Sequence, residues 1–127
     1  MTARIRAAKC LAFYYSPSGE LVAIAALKAP NDEYRRDVFK MAGSPASYAD
    51  YKVELGWVYV VPDYRRKQIA TNLCEQLLLS AAGDQVFATT RSDNGVMSRI
   101  LRACAFAEVG NPYMHRGEQL RLYLRRY

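Results

Sequence analysis

Residues 54–71 read E-L-G-W-V-Y-V-V-P-D-Y-R-R-K-Q-I-A-T and contain most of a strand, a turn and the start of a helix. The β-branched and aromatic run that ends at Val61 is typical of a buried strand, and Pro62 marks a turn after it. We expect a helix from about Arg65 to Ala82, whose first turn carries three basic residues. Unpaired backbone N–H groups and the positive end of the helix dipole favour an anion at such a helix start. The segment therefore predicts a phosphate-binding site.

The chain has 127 residues, and we expect it to form one domain over residues 1–127. Its 18 Lys and Arg residues against 12 Asp and Glu give a net charge of +6, which favours an anionic partner without choosing one. The sequence contains no lysine tract, zinc-type spacing or RNA-binding aromatic signature, so nucleic acid is a disfavoured but not an excluded partner. No apolar run has the length of a membrane span, and the first residues lack a secretory signal, so we expect a cytoplasmic protein without a membrane partner.

Three cysteines, Cys10, Cys74 and Cys104, lie in apolar surroundings. Their number is odd and their spacing does not fit a metal site. We therefore interpret them as reduced core or near-core residues and expect no bound metal.

Hydrophobic periodicity and turn residues predict strands and helices in the order β-β-α-β-α-β-α-β-β. This order is typical of an α/β fold of the mixed α+β kind, whose sheet is parallel at the crossovers and antiparallel at the hairpins. The predicted strands are residues 11–15, 21–28, 52–61, 85–90, 106–109 and 119–126. The predicted helices are residues 32–42, 65–82 and 93–102, and loops are predicted at 44–51 and 110–117.

Capping residues set the helix boundaries. Asn31 can cap the first helix and Gly43 can end it, while Gly83 is expected to end the second helix. Ser92 or Asp93 can cap the third helix. That helix is expected to bury Val96, Met97, Ile100 and Leu101.

Two regions resemble one known family. The spacing of Arg65, Gln68 and Ala70 after the strand is similar to the Q/R-x-x-G-x-G/A pyrophosphate loop of the GNAT superfamily of N-acetyltransferases. Residues 94–106, N-G-V-M-S-R-I-L-R-A-C-A-F, resemble that family's later, asparagine-led helix. Because the two regions occur in the right order, the chain is identified as a member of this family over about residues 11–126.

The resemblance implies a GNAT-like mixed central sheet with flanking helices, and acetyl-CoA as co-substrate. The backbone of the central strand would bind the pantetheine arm, and the start of the following helix would bind the pyrophosphate. The cofactor-binding residues expected from the resemblance are Val58, Tyr59, Val60, Arg65, Arg66, Lys67, Gln68, Ile69, Ala70, Thr71 and Asn94.

The sequence departs from the family at several positions. Gln68 stands where glycine is usual, Leu101 where many members carry a tyrosine, and Ala105 where glycine precedes phenylalanine. Only about ten residues precede the first hairpin, so the family's first strand and its pair of helices beside the acceptor are largely missing. We expect residues 31–51 to take over that role.

Glu54 lies on the central strand, where several GNAT members hold a general-base glutamate. Apolar neighbours would raise its pKa and suit it to accept a proton from an ammonium group. The alternative is a structural glutamate paired with a nearby Arg or Lys. Tyr113 and Tyr59 are candidates for the general acid, with water as a third possibility. His115 is interpreted as an exposed surface residue, although GNAT members use the corresponding loop near the acceptor.

Three functions are compatible with these residues. The leading hypothesis is an acetyl-CoA-dependent N-acetyltransferase that transfers acetyl directly to a primary amine of unknown identity. The second is a GNAT-like CoA-binding module with little or no catalysis, and the third is an acetyltransferase toxin that acts on aminoacyl-tRNA. An uncovered sheet edge additionally predicts a homodimer.

Overall fold

The computed structural model describes residues 8–65, 68–81 and 83–125, and within them the chain forms six strands and three helices. The strands are β1 (Ala8–Tyr15), β2 (Leu21–Lys28), β3 (Val53–Val60), β4 (Val86–Arg91), β5 (Phe106–His115) and β6 (Glu118–Arg125). The helices are α1 (Asp32–Ala42), α2 (Ile69–Ser80) and α3 (Gly95–Ala103). The predicted order of elements and the mixed α+β fold class are confirmed.

The strands form one mixed sheet in the order β1-β2-β3-β4-β6-β5. All neighbouring strands are antiparallel except β3 and β4, which are parallel. In the described residues the pairing of these two strands is confined to Val53 with Val86 and Glu54 with Phe87. Beyond Glu54 the two strands separate, which leaves a gap in the middle of the sheet with Glu54 at its closed end.

A bulge in β3 lies beside this gap. Ile24 of β2 pairs with Tyr59 and Ala26 with Gly56, so two residues of β3 face one residue of β2. Trp57, inside the bulge, has a φ of 52°. Bulges increase the local twist of a strand, and this one helps to turn the end of β3 away from β4.

Helices cover both faces of the sheet. On one face, α2 and α3 bury a core that includes Leu55, Leu77 and Leu101. On the other face, α1 packs Val38 and Phe39 against β4 and β6, with the rings of Phe39 and Phe87 5.4 Å apart. Helix α1 therefore covers the face of the sheet toward which Glu54 points. No helix within the described ranges is long and apolar enough to cross a membrane.

The first helix has the predicted boundaries. The Asn31 side chain accepts a hydrogen bond from the Tyr34 N–H at 2.8 Å, and Gly43 ends the helix with a φ of 63°. Asn31 and Gly43 therefore do act as the cap and the stop of α1.

The second helix is shorter than predicted. It begins at Ile69 rather than Arg65, because Pro62–Tyr64 forms a short 3-10 turn and Gln68 adopts a left-handed conformation with a φ of 59°. It ends at Ser80 with Ala81 as its cap, before the predicted stop at Gly83. The predicted helix end, Ala82, lies outside the described residues, as do Arg66 and Lys67.

The third helix is capped by Asn94, not by Ser92 or Asp93. The Asn94 Oδ1 atom accepts a hydrogen bond from the Met97 N–H at 3.0 Å, and the helix begins at Gly95 rather than at residue 93. Its burial prediction is wrong for Val96, whose exposed fraction is 62%. Leu101 is fully buried as predicted.

The prediction of a loop at residues 110–117 is wrong, because β5 continues to His115. Its pairing with β6 skips from Val109 to Tyr113, which accommodates Pro112 where no backbone N–H is needed. Only residues 116 and 117 form the turn into β6. At the other end of the sheet, β1 begins at Ala8 rather than at residue 11, because its pairing with β2 extends to Lys28.

The three cysteines occupy core or near-core positions, as predicted. Cys74 and Cys104 are buried, Cys10 is half-buried, and all three are free thiols. Burial raises the pKa of the Cys74 thiol to about 12 and that of Cys104 to about 11, so both remain protonated near neutral pH.

Candidate active site

Glu54 is buried within the sheet, with an exposed fraction of only 3%. Cross-strand pairing with Lys28 brings the Lys28 ammonium to 3.3 Å from Oε1 of the carboxylate. On the other side, the Tyr34 hydroxyl of α1 donates a hydrogen bond to Oε2 at 3.1 Å. The structural ion pair that the sequence allowed as an alternative is thus present. Glu54 makes this ion pair and also lies at the end of the β3–β4 gap.

The environment of Glu54 raises the pKa of its carboxyl above the usual value. The main cause is loss of solvation on burial, which disfavours the charged form. The charge of Lys28 and the hydrogen bonds from Tyr34, Lys28 and Thr89 act in the opposite direction and reduce the rise. A carboxyl with a raised pKa is a better proton acceptor once ionised, as a general base requires.

A cavity of about 430 Å³ lies between α1 and the sheet, next to this carboxylate. Its wall includes six residues from α1, β4, β5 and β6: Tyr34, Val38, Met41, Thr89, Tyr113 and Leu120. Two of them, Tyr34 and Thr89, also interact with Glu54. The cavity and the buried carboxylate are therefore linked through two hydroxyl groups.

Tyr113 contributes a third hydroxyl to the cavity wall. The residue is 7% exposed, and its hydroxyl has no hydrogen-bond partner in the part of the chain that the structure describes. Burial and, secondarily, the charge of Glu54 raise the pKa of Tyr113 to about 12. Tyr113 therefore keeps its proton at neutral pH and can donate it in a hydrogen bond to a ligand.

The strand residues expected to contact the pantetheine arm lie beside the gap. Val58, Tyr59 and Val60 follow the last residue of β3 that pairs with β4. A separated strand leaves backbone groups available for an amide-bearing ligand. The carbonyl of Val60, however, already accepts a hydrogen bond from Nε of Arg65 at 2.8 Å.

Arg65 is held against the strand rather than at a helix start. In addition to its bond to Val60, its guanidinium carbon lies 5.6 Å from the centre of the Tyr59 ring. The expectation that Arg65 belongs to the first turn of the helix is therefore wrong. The Tyr59 ring, a candidate acid, is likewise engaged in this contact.

The helix that follows the gap begins with Gln68 as its cap residue and Ile69 as its first residue. Gln68 is exposed, whereas the Ile69 side chain is buried in the core. Ala70 packs against that core, and the carbonyl of Thr71 accepts a weak hydrogen bond from the Cys104 thiol. Because their side chains are apolar, Ile69 and Ala70 can meet a phosphate only through their backbone N–H groups.

Neither Asn94 nor His115 is among the described interaction partners of Glu54. The side-chain oxygen of Asn94 is used to cap α3, which leaves its amide group for any contact with CoA. His115 is exposed, as expected, yet it also contributes to the opening of the cavity.

Lys28, Tyr34 and Thr89 are site residues that sequence reasoning missed. Lys28 pairs directly with Glu54, but this register joins two strands that are separated by α1 in the sequence, so no local signal marks it. Tyr34 and Thr89 carry no local signal, because they approach Glu54 through packing of α1 and β4.

Comparison with known proteins identifies a family and a set of structural neighbours. The family model described as "Acetyltransferase (GNAT) family" matches residues 2–106. No match is found among curated proteins.

Three solved structures have similar folds. A spermidine N-acetyltransferase variant from Vibrio cholerae aligns with a TM-score of 0.62 and 13% identity over 91% of this chain and 63% of its own. A Bordetella pertussis protein assigned to the GNAT family aligns with a TM-score of 0.68 and 15% identity over 91% of this chain and 64% of its own. An acyl-CoA N-acyltransferase from Pseudomonas aeruginosa aligns with a TM-score of 0.60 and 16% identity over 91% of this chain and 67% of its own. Identities this low indicate a shared fold, and the match spans less than two thirds of the first two proteins.

Proposed function

The chain belongs to the acetyltransferase (GNAT) family, and we propose that it transfers an acetyl group from acetyl-CoA directly to a primary amine. The observation that carries this proposal is the position of Glu54. Its buried carboxylate lies at the closed end of the gap between β3 and β4 and beside a cavity that can hold an acceptor. A donor in the gap and an acceptor in the cavity would meet at this residue.

The gap and the following helix start fit the donor. Backbone groups of Val58 and Val60 next to the gap suit the amides of the pantetheine arm, and the N–H groups at the start of α2 suit its phosphates. Acetyl-CoA supplies the activated acetyl group as a thioester. A backbone N–H near Val60 would polarise the thioester carbonyl.

Glu54 is the proposed general base. It would take a proton from the ammonium of the acceptor through the Tyr34 or Thr89 hydroxyl, which frees the nitrogen lone pair for attack. The new N–C bond then forms as the C–S bond breaks. Tyr113 is the proposed proton donor to the departing thiolate, which leaves as free CoA thiol, and the second proton lost by the acylated nitrogen replaces the one that Tyr113 gives up.

A CoA-binding module without efficient catalysis is the second candidate. The observation that favours it is the ion pair of Glu54 with Lys28, since a structural ion pair also explains a buried carboxylate. Binding of acetyl-CoA without thiol release in the presence of amines would identify this candidate.

We also propose that the protein forms a homodimer. Strand β1 is at the edge of the sheet, and Phe13 and Tyr15 on it have exposed fractions of 45% and 57%. An exposed sheet edge presents unpaired backbone N–H and C=O groups with which a strand of another chain can pair.

Two measurements test the proposed function. Acetyl-CoA in excess is expected to raise the melting temperature, because a ligand that binds only the folded chain stabilises it. A panel of polyamines, amino acids, aminoglycosides, aryl amines and peptides is then expected to include amines that cause release of free thiol. An unchanged melting temperature would contradict the cofactor, and the absence of thiol release with every amine would contradict catalysis.

A further inference from the structure

The cavity beside Glu54 is enclosed mainly by apolar and aromatic side chains. Val38 and Tyr113 are buried, Leu120 is half-buried, and Met41 lies at the exposed side of α1. The volume of about 430 Å³ is near the lower end of the range of roughly 300–1,000 Å³ that is usual for small-molecule sites. A small ligand with an apolar body would gain contact with these walls on leaving water.

The charges around the cavity do not favour a ligand with several positive groups. Among the described residues of its wall, Asp37 is the only acidic side chain, and the basic side chain of Lys40 lies in the same wall. The carboxylate of Glu54, beyond the wall, is already paired with Lys28. No surplus of negative charge is therefore available in this wall for a second ammonium group.

The polar groups of the wall are concentrated near Glu54. Tyr34 and Thr89 both interact with its carboxylate, and the charge of Glu54 also raises the pKa of Tyr113. Tyr113 lines the cavity, and its hydroxyl is buried and lacks a partner among the described residues. One hydrogen-bonding group of the ligand is thus expected at this end, and apolar atoms elsewhere.

We propose that the acceptor is a small primary monoamine with an apolar body, and not a polyamine. This substrate class rests on the acetyl transfer proposed for the same site. The ammonium group lies beside Thr89 and the Tyr113 hydroxyl, and the body contacts Val38, Met41 and Leu120.

The first experiment compares 2-phenylethylamine with spermidine. Thiol release from acetyl-CoA gives kcat/KM for each amine, and calorimetry with CoA present gives the affinity of each amine without chemistry. We expect 2-phenylethylamine to exceed spermidine by at least tenfold in both quantities.

The two measurements separate this inference from the proposed function. Tight binding of 2-phenylethylamine without thiol release would support the substrate class and contradict acetyl transfer. Equal or faster turnover of spermidine would overturn the substrate class and leave acetyl transfer in place. Failure of both amines to bind would overturn the substrate class.

A charge variant provides the second experiment. Met41→Glu adds a carboxylate at the exposed side of the cavity and is expected to shift the ratio of the two affinities at least fivefold toward spermidine. Leu79→Glu is the matched control, because Leu79 is 69% exposed on α2, which covers the opposite face of the sheet. An equal shift in both variants, or none in Met41→Glu, would contradict the proposed placement of the ligand.

Discussion

At the scale of single residues, Glu54 combines two features that are each compatible with a different role. It is ion-paired with Lys28, as in a structural group, and it lies at the junction of a gap and a cavity, as in a catalytic group. Glu54→Gln keeps the shape and much of the hydrogen bonding but cannot accept the proton. We expect turnover to fall about a hundredfold or more while acetyl-CoA affinity persists, measured by thiol release and by thermal shift.

Asp37→Asn is the control for this substitution, because Asp37 is an exposed carboxylate of the same cavity wall. It is expected to change turnover far less than Glu54→Gln. A parallel loss of cofactor affinity and turnover in Glu54→Gln would identify a structural residue instead of a base.

The acidic limb of the pH–rate profile offers a second test of Glu54. The base must be ionised, so activity rises with pH through its pKa, which lies above the usual glutamate value. Removal of the Tyr34 hydroxyl takes away a bond to the charged form and raises the pKa further. We therefore expect Tyr34→Phe to shift the limb to higher pH and Lys28→Met to shift it more.

The double variant Glu54→Gln with Tyr34→Phe is the control for this shift. Its profile is expected to lack the acidic limb altogether, because the titrating group is gone. A limb that persists in Glu54→Gln would assign the titration to another group.

Gln68 is a strained residue at the start of α2. Its φ of 59° is in the left-handed region, which explains why glycine is usual at this position in the family. In the interior of a helix that began at Arg65, glycine at position 68 would lower the free energy of unfolding, but the observed left-handed conformation reverses the sign of this effect. We expect Gln68→Gly to raise the free energy of unfolding by about 0.5 kcal/mol and to tighten acetyl-CoA binding.

Gln68→Ala separates the backbone from the side chain. Alanine keeps the left-handed strain but removes the bulk of glutamine, so it should not stabilise the fold. Denaturant unfolding and calorimetry of CoA binding provide the comparison. Weaker CoA binding in both variants would show that the glutamine side chain itself contacts the ligand.

At the scale of elements, α1 and the bulge of β5 are joined by a close contact. A Cβ atom added to Gly110, whose φ is 66°, would lie 2.0 Å from the carbonyl oxygen of Ala42, the last residue of α1. Gly110→Ala should therefore cost about 2–4 kcal/mol of stability, from backbone strain together with the collision. Denaturant unfolding measures this loss.

Gly117→Ala is the matched control for the contact. Gly117 also has a positive φ, 80°, but an added Cβ would meet no atom within 4 Å. It should cost only about 1–2 kcal/mol, the strain alone. Equal losses of stability in the two variants would mean that α1 can shift without an energetic cost. The contact between Ala42 and Gly110 would then not determine the position of α1 over the cavity.

At the scale of the whole molecule, the exposed edge of the sheet leads to a test of assembly. Light scattering at tens of micromolar should give twice the monomer mass. Lysines in place of Phe13 and Tyr15 should produce monomers, because charged residues on an edge strand prevent pairing. Lysine at Leu79, on α2, is the control and should leave the dimer intact. A monomer of the unmodified chain would contradict the proposal.

Much of the fold could be predicted because its signals are local. The cap at Asn31, the stop at Gly43 and the strand at residues 21–28 each depend on a few neighbouring residues. The predictions were wrong where a distant partner or an unusual backbone conformation overrode that pattern. The left-handed conformation of Gln68 places the start of α2 at Ile69 instead of Arg65. Residues 110–115 were predicted as loop, but they are part of β5, which pairs with β6.

The sequence by itself determined the order of elements, the family and Glu54 as the candidate base, because periodicity, caps and motif spacing are properties of adjacent residues. Only the tertiary structure decided what surrounds that base. Lys28 reaches it through strand register, and Tyr34 through the packing of α1, 20 positions away from it in sequence. The separation of β3 from β4 and the cavity under α1 likewise arise from the closure of distant segments on one another, which no local pattern encodes.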